Sequence, residues 1–228
     1  MTADLPPVIA VDGPAASGKG TVATGVAGAL AFHYLDSGSL YRLVALKALT
    51  TGTPLADAQA LAGLAAGLDV SFLDGSIVLE RQDVTEAIRG EEVSAAASQV
   101  AVHPAVRSAL FERQRTFRRP PGLVADGRDM GTVVFPEAVV KVFVTASPEE
   151  RARRRYKQLI AKGISITMGG LLRDIRERDA RDAGRAAAPL VPARDAVILD
   201  TTDLTIEAAI GRVLELYRDV AAKRQAPK

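Results

Sequence analysis

The sequence contains no cysteine and no tryptophan, and its only histidines are His33 and His103. The absence of cysteine excludes disulfide frameworks, thiolate nucleophiles and cysteine-ligated zinc or iron–sulfur centres. Two histidines are too few for a histidine-rich metal site. Because only 4% of the residues are aromatic, there is little material for stacking the bases of single-stranded nucleic acid. We therefore expect no metal that is held by the protein alone, and no nucleic-acid partner.

Long hydrophobic runs are also missing. The longest stretch without a formal charge covers residues 20–35, and its sixteen residues include three glycines. A membrane-spanning helix needs about 20 predominantly apolar residues. We expect no membrane partner and a cytoplasmic location.

The basic residues are unevenly divided between the two types. Of the 29 lysines and arginines, 22 are arginine and 7 are lysine, while the net charge is only +2. Arginine binds phosphate or carboxylate with a planar fork of donors, whereas lysine is a mobile point charge. Codon usage explains such an excess as well as phosphate binding does, so the positions of the arginines must decide between the two.

Five short apolar runs are each followed by a polar or glycine-rich segment, which is typical of buried parallel strands. The runs cover residues 8–11, 33–35, 123–125, 139–144 and 196–199. Helical patterns alternate with them, the first over 21–32 and the last from about Thr205. This alternation predicts an α/β fold with a mostly parallel sheet, and residues 1–228 would form a single domain.

Two insertions interrupt the alternation. In the first, segments 68–73 and 76–79 flank Asp74-Gly75, a dipeptide typical of a hairpin turn. Segment 91–119 follows and predicts a helix that is broken at His103-Pro104. The second insertion, residues 147–185, is charged, has a helical pattern and carries nine arginines.

A glycine-rich segment with one lysine follows the first apolar run directly. Its residues are Gly13, Pro14, Ala15, Ala16, Ser17, Gly18, Lys19, Gly20 and Thr21. Strand, glycine-rich loop and helix are the context of a P-loop, in which backbone N–H groups and a helix N-terminus surround phosphate oxygens. The hydroxyl that usually follows the lysine comes one residue later, at Thr21, which leaves direct ligation of Mg²⁺ by this hydroxyl open.

Two more loops are predicted at the carboxyl end of the sheet, where open α/β sheets bind their ligands. Residues 36–42 follow the second run and end in Arg42, and residues 126–131 follow the third run and include Arg128. If it occurred alone, the segment 126–129 could be a plain turn. Together with the phosphate loop at the same edge, the two loops favour a functional site.

In these motifs the chain resembles the bacterial cytidylate kinases, which are nucleoside monophosphate kinases. The matching segments follow the family order over nearly the whole length: 13–21, 35–42, 96–100, 126–131, 177–185 and 188–192. The resemblance implies a P-loop NTPase fold with a five-stranded parallel sheet of order 2-3-1-4-5. It also implies an inserted NMP-binding subdomain at about residues 40–110 and a lid at about 148–185.

The resemblance further implies a reaction in pyrimidine nucleotide metabolism. The γ-phosphoryl group of ATP would pass to CMP, and to dCMP as well, with UMP disfavoured. Mg²⁺ would be bound with ATP mostly through phosphates and water, and the enzyme would be a monomer.

Site residues are implied position by position. ATP would be held by the nine residues of the phosphate loop, with Arg151 and Arg154 in the lid. Arg42, Arg128 and Arg185 would hold the CMP phosphate, Ser37, Ser98, Arg107 and Asp129 the cytosine, and Asp182 with Arg178 the ribose. The catalytic residues would be Lys19, Arg128, Arg178 and Arg185.

Three other functions fit parts of the sequence. A P-loop kinase of a small hydroxylated metabolite, of the shikimate or gluconate type, would use Asp36 to orient or deprotonate the hydroxyl. A GTP-dependent switch would need a Lys-Ser/Thr pair in the loop and a guanine-binding motif, and the sequence has neither. RNA binding by the second insertion would leave the phosphate loop without a role, and that insertion could also be a solvated helix with pairs such as Asp174–Arg178.

Overall fold

The computed structural model describes residues 5–73, 75–161 and 163–225. The chain divides into two compact units. One consists of the residues up to Leu35 together with those from Phe117 onward, and the other is Asp36–Thr116.

Eight strands and eight α-helices are present in the described residues. In chain order they are β1 (Val8–Asp12), α1 (Lys19–Leu30), β2 (His33–Asp36), α2 (Ser37–Thr51), α3 (Ala58–Ala66), β3 (Val70–Leu73), β4 (Ser76–Leu79), β5 (Gln82–Asp83), α4 (Glu91–Val100), α5 (Pro104–Arg115), β6 (Leu123–Gly127), β7 (Val140–Thr145), α6 (Pro148–Ala161), α7 (Met168–Ala183), β8 (Val197–Asp200) and α8 (Ile206–Gln225). A 3₁₀ turn covers Ala87–Arg89 and a π-helical turn covers Met130–Val134.

The main sheet has five strands in the order β2-β6-β1-β7-β8. This is the expected order 2-3-1-4-5 once the three short strands of the first insertion are set apart, so the prediction is confirmed. Strand β1 pairs in parallel with both β6 and β7, and Asp12 lies opposite Gly127 and Phe143. The chain therefore leaves β1 and β6 at the same level, and the segments that follow these strands start side by side.

The apolar runs form buried parallel strands, as their continuous hydrophobic pattern predicts. All five residues of β1 are buried. On one face, α1 and α8 pack against the sheet with Val22, Val26 and Val213 in the core. The rings of Phe32 and Tyr217 meet edge to face, with their centroids 5.5 Å apart.

The unit Asp36–Thr116 is mostly helical, with α2 packed on α4 and α3 on α5. The predicted hairpin is confirmed, since β3 and β4 pair in antiparallel register, although Asp74 of its turn lies outside the described residues. The helix break at Pro104 is confirmed as well, because α4 ends at Val100 and α5 begins at Pro104. The short strand β5, which pairs with β4, was not expected.

The loop predicted over residues 36–42 is wrong. Helix α2 begins at Ser37, and Asp36 caps it by accepting a hydrogen bond from the backbone N–H of Ser39 at 3.2 Å. An aspartate at the N-cap satisfies one of the free N–H groups at the start of a helix. Part of the second predicted loop is also helical, because the π-helical turn begins at Met130.

Within the described ranges, no helix is both long enough and apolar enough to cross a membrane.

Two glycines of α1 differ in the space around them and provide a test of the packing. A Cβ at Gly25 would run into the side chain of Ile210 on α8, whereas a Cβ at Gly28 would meet nothing within 4 Å. Gly28→Ala should raise the free energy of unfolding by about 0.5–1 kcal/mol, because alanine is the better helix former. Gly25→Ala should be at least about 1 kcal/mol less stable than Gly28→Ala because it overpacks the contact with α8. Equal stabilities in denaturant titrations would contradict the described packing of α1 on α8.

Candidate active site

The phosphate loop joins β1 to α1 and has an unusual backbone. Gly13 has φ 152°, Ala16 59° and Gly18 87°. A Cβ at Gly13 would collide with the backbone carbonyl of Val144, so only glycine fits this position. Turns of this kind expose successive N–H groups to an anion, and the N-terminus of α1 adds the positive end of its dipole. Ala16 bears the steric cost of a left-handed conformation that glycine would avoid.

Lys19, the first residue of α1, is directed toward the end of β6. Its Nζ lies 3.6 Å from Oδ1 of Asp126, a carboxylate that is almost entirely buried. The hydroxyl of Tyr34 donates to the other oxygen of Asp126 at 3.2 Å. The lysine of the phosphate loop is therefore held beside the strand end from which the segment containing Arg128 begins.

Asp12, the last residue of β1, connects the start of the phosphate loop to the π-helical turn. Its two oxygens accept the backbone N–H groups of Met130 and Gly131, each at 2.8 Å. Burial raises the pKa of Asp12 to about 7; the two hydrogen bonds oppose this shift, and the nearby carboxylates of Asp129 and Asp126 add to it.

Three predicted arginines, Arg128, Arg178 and Arg185, act on the carboxylate of Asp182 on α7. This carboxylate is only 1% exposed, and it accepts a hydrogen bond from Nε of Arg128 at 2.9 Å and another from Arg185. Burial alone would raise the pKa of Asp182, but the charges of Arg128, Arg185 and Arg178 outweigh it and lower the pKa. The end of β6 and the end of α7 thus present a compact group of guanidinium groups around one carboxylate.

Arg154 lies on α6 beside the phosphate loop. Its Nη1 donates to the carbonyl of Ser17 at 3.2 Å, and its Nη2 donates to the carbonyl of Thr201 at 2.5 Å. A cavity of about 700 Å³ opens next to it. Its lining includes most of the phosphate loop and the residues Glu150, Arg154, Thr201, Leu204 and Ile206. A volume of this size accommodates a nucleotide-sized ligand.

Arg151, one turn before Arg154, is in a different environment. It is only 3% exposed. Each of its three side-chain nitrogens donates to a protein acceptor, namely the carbonyls of Ala146 and Ala15 and the carboxylate of Asp179.

Asp129, just before the π-helical turn, is buried. Four other predicted residues belong to the unit Asp36–Thr116. Ser37 on α2 and Ser98 on α4 are both buried, and these two helices pack on each other. Arg107 on α5 donates to the carbonyl of Ala101 at 3.3 Å, and its guanidinium carbon lies 5.6 Å from the centre of the Tyr41 ring. Arg42 is partly exposed on α2.

Asp12 and Asp126 are not among the candidates drawn from the sequence. Asp12 is the last residue of β1 and Asp126 is the last but one of β6. Ligands bind at this edge of the sheet, and this position is the signal that could have identified them. In the described parts of the chain, no group of three or more histidine, aspartate or glutamate side chains could hold a metal ion.

The raised pKa of Asp12 predicts a specific dependence of stability on pH. The folded protein keeps the proton of this carboxyl up to about pH 7, whereas the ordinary value is 3.8. Its stabilising contribution is therefore complete below pH 3.8 and is lost as the pH rises through 7. Relative to Asp12→Asn, which cannot titrate, the wild type should lose several kcal/mol across this window, at about 1.4 kcal/mol per pKa unit. Urea titrations at several pH values measure this difference, and parallel profiles would contradict the assignment.

Asp182→Asn should destabilise the protein at pH 7, since it leaves two arginines without their buried counter-charge. We expect a loss of about 3 kcal/mol in the free energy of unfolding, as for other broken buried pairs. Asp195→Asn is the matched control, because Asp195 is 65% exposed and pairs with Lys141; it should remain within about 1 kcal/mol of the wild type. Equal effects of the two substitutions would show that Asp182 does not neutralise these arginines.

A family model and several known proteins match most of the chain. The family model described as cytidylate kinase matches residues 9–219. A cytidylate kinase of Burkholderia pseudomallei is 59% identical over 214 residues, which cover 94% of this chain and 94% of that protein. The cytidylate kinase of Chromobacterium violaceum is 57% identical, with 95% of this chain and 97% of that protein covered. The cytidylate kinase of Cupriavidus necator is 59% identical, with 93% and 96% covered. The chain therefore belongs to the cytidylate kinase family.

Proposed function

We propose that the protein transfers the γ-phosphoryl group of ATP to CMP, giving CDP and ADP, and that it accepts dCMP as a second substrate. Family membership supports the reaction. The observation in the structure that carries the proposal is the group of Arg128, Asp182 and Arg185, because Arg128 follows the strand end that lies level with the start of the phosphate loop. The two phosphates that react would then meet fixed positive charge from both sides.

ATP would bind along the phosphate loop with its nucleoside in the adjoining cavity. The loop residues 13–21 would surround the phosphates with backbone N–H groups, and Lys19 would contact the β- and γ-phosphates. Arg154 faces the cavity from α6 and would contact the nucleotide there. Leu204 and Ile206 are exposed apolar side chains in the lining of the same cavity and would pack against the base.

CMP would be held through three kinds of contact. Arg42, Arg128 and Arg185 would bind its phosphate, Asp182 with Arg178 would reach the ribose, and Ser37, Ser98, Arg107 and Asp129 would surround the cytosine. Membership of the cytidylate kinase family is what supports these assignments. A buried polar site that hydrogen-bonds an amino group rejects the oxo analogue, and we therefore expect UMP to be a poor substrate.

The same proposal extends to the parts of the chain. Within a P-loop kinase of residues 1–228, residues of about 40–110 would form the NMP-binding insertion and about 148–185 the lid. Helices α6 and α7 fall within the proposed lid and share a small apolar core of Ala152, Leu159, Leu171 and Ile175.

The chemistry needs no protein nucleophile and no general base. The acceptor is a phosphate whose second pKa is about 6, so that near pH 7 it is mostly a dianion able to attack. The obstacle is repulsion between two polyanions, and arginine side chains held in place before the reaction remove it without reorganising. Exclusion of water keeps CMP as the acceptor.

Mg²⁺ is the cofactor that the family implies. The buried carboxylate of Asp126 lies 3.6 Å from Lys19, and a single carboxylate at the edge of a phosphate loop suits an ion that keeps most of its ligands as phosphate oxygens and water. The residues present therefore fit the ion, and Asp126 would be its protein partner. When bound, Mg²⁺ would neutralise negative charge on the phosphates of ATP.

The kinase of a hydroxylated metabolite is not favoured. The family model that matches is that of cytidylate kinase over residues 9–219. In addition, Asp36, which such an enzyme would use on the hydroxyl, accepts a hydrogen bond as the N-cap of α2.

Arg128→Ala tests the site. It should lower kcat/KM for CMP by about 10- to 150-fold, which corresponds to the roughly 1.5–3 kcal/mol of a hydrogen bond to a charged group. The control is Arg212→Ala on α8, which removes an exposed pair with Glu215 and should leave activity unchanged. Both variants are assayed for ADP release with ATP and CMP.

An acceptor screen with the wild type tests the reaction itself. CMP and dCMP should be phosphorylated, while UMP, AMP, shikimate and gluconate should be poor acceptors. Wild-type activity of Arg128→Ala would refute the site assignment, and preference for a hydroxyl acceptor would refute the proposed reaction.

A further inference from the structure

Arg151 is a buried arginine, with only 3% of its surface exposed. Long cationic side chains are almost never buried unless they are paired. Here the pairing is complete at every nitrogen. Nε donates to the carbonyl of Ala146 at 3.0 Å, and Nη1 donates to the carbonyl of Ala15 at 3.3 Å. Nη1 and Nη2 also donate to the two oxygens of Asp179, at 2.9 and 2.5 Å.

These acceptors belong to three different parts of the fold. Ala146 follows β7, Ala15 lies in the middle of the phosphate loop, and Asp179 lies on α7. A guanidinium group that forms a two-bond pair with a carboxylate has a fixed plane and direction. The other N–H groups of Arg151 therefore have fixed directions, and one of them donates to a carbonyl of the phosphate loop. One side chain thus joins the strand end, the loop and the helix.

The position of Asp179 on α7 connects the contacts of Arg151 to the group of arginines around Asp182. Asp179 directly follows Arg178 and precedes Asp182 by three residues, so Asp179 and Asp182 lie on the same side of the helix. Asp182 in turn binds Arg128 and Arg185. The pair between Arg151 and Asp179 therefore fixes the rotation of α7 about its axis and its position along that axis. The same rotation and position bring Asp182 to Arg128.

A second ion pair joins the same two helices, but it is exposed to solvent and serves as a comparison. Arg176 on α7 donates to Glu149 on α6 at 3.0 Å, and both side chains are more than 60% exposed. This pair reaches neither the phosphate loop nor the group around Asp182. The two pairs thus differ in burial and in what else they touch, while they connect the same elements.

We propose that Arg151 is a positioning residue that joins the phosphate loop to α7 through its pair with Asp179, and that nucleotide affinity and phosphoryl transfer both depend on this pair. The predicted effect on phosphoryl transfer rests on the proposed function, whereas the predicted effect on nucleotide affinity does not. Arg151 acts through the loop and the helix, since all three of its nitrogens are bonded to the protein. Lysine cannot replace it, because an ammonium group lacks the planar fork that reaches Asp179 and Ala15 together.

The experiment compares Arg151→Lys, Asp179→Asn, the double variant and the control Arg176→Gln. The affinity for ADP with Mg²⁺ is measured by calorimetry at a temperature at which circular dichroism shows every variant to be folded. The kinetic constants kcat and KM for ATP and CMP are measured in parallel. Arg151→Lys and Asp179→Asn should each weaken ADP binding by about tenfold and lower kcat as well. The double variant should be no weaker than either single variant, because all three lose the same pair. Arg176→Gln should match the wild type.

The outcomes separate the possible roles. A purely structural role would lower the melting temperature while the folded variants kept wild-type ADP affinity and KM values, and this result would overturn the proposal. Independent, additive effects of the two substitutions would overturn it too, as would restoration of full affinity by lysine. If neither the wild type nor any variant phosphorylated CMP, the proposed function would fail. A tenfold loss of ADP affinity in the two single variants would still support the proposal that Arg151 joins the phosphate loop to α7.

Discussion

Positive charge that is held in place by buried or partly buried carboxylates is the interaction on which the rest of this site depends. A reaction between two polyanions needs cations at fixed positions, and buried cations need counter-charges. The unit that contains the main sheet provides these pairs at three places: Lys19 with Asp126, Arg128 and Arg185 with Asp182, and Arg151 with Asp179. In each pair the carboxylate lies near the end of β6 or on α7, so the fold sets the position of the charge.

Such pairs contribute little net stability, because the cost of removing both charges from water roughly offsets their attraction. What these pairs provide is a fixed orientation of the positively charged groups. Asp182 has both oxygens occupied by arginines, so these guanidinium groups are oriented before any substrate arrives. Preorganised donors of this kind need no further rearrangement when charge develops during the reaction. The Lys19–Asp126 pair is longer, at 3.6 Å, which suits a lysine that must turn to a phosphate.

The local parts of this arrangement were predictable from the sequence, and the long-range parts were not. Apolar runs next to glycine-rich segments predicted the five strands and the phosphate loop, because strand burial and loop geometry leave a pattern over a few neighbouring residues. The start of α2 was missed since Asp36 was assigned to a loop, although an aspartate before Ser37 is also a good helix cap. The pairing of Arg151 with Asp179 joins residues 28 positions apart, and the bonds of Asp12 span more than 100 positions. No periodic pattern in a single sequence records contacts of that range.

The arginines of residues 147–185 show why number alone could not decide between codon usage and function. Arg153 and Arg176 form exposed pairs with glutamates and resemble the solvated helix that the pattern also allowed. Arg151 and Arg185 belong to the same charge-rich segment, but they are buried against aspartates. Codon usage can supply arginine at any exposed position, whereas burial of a guanidinium group is tolerated only where a partner is built for it. Burial, and not abundance, therefore separates the arginines that organise the site from those that cover the surface.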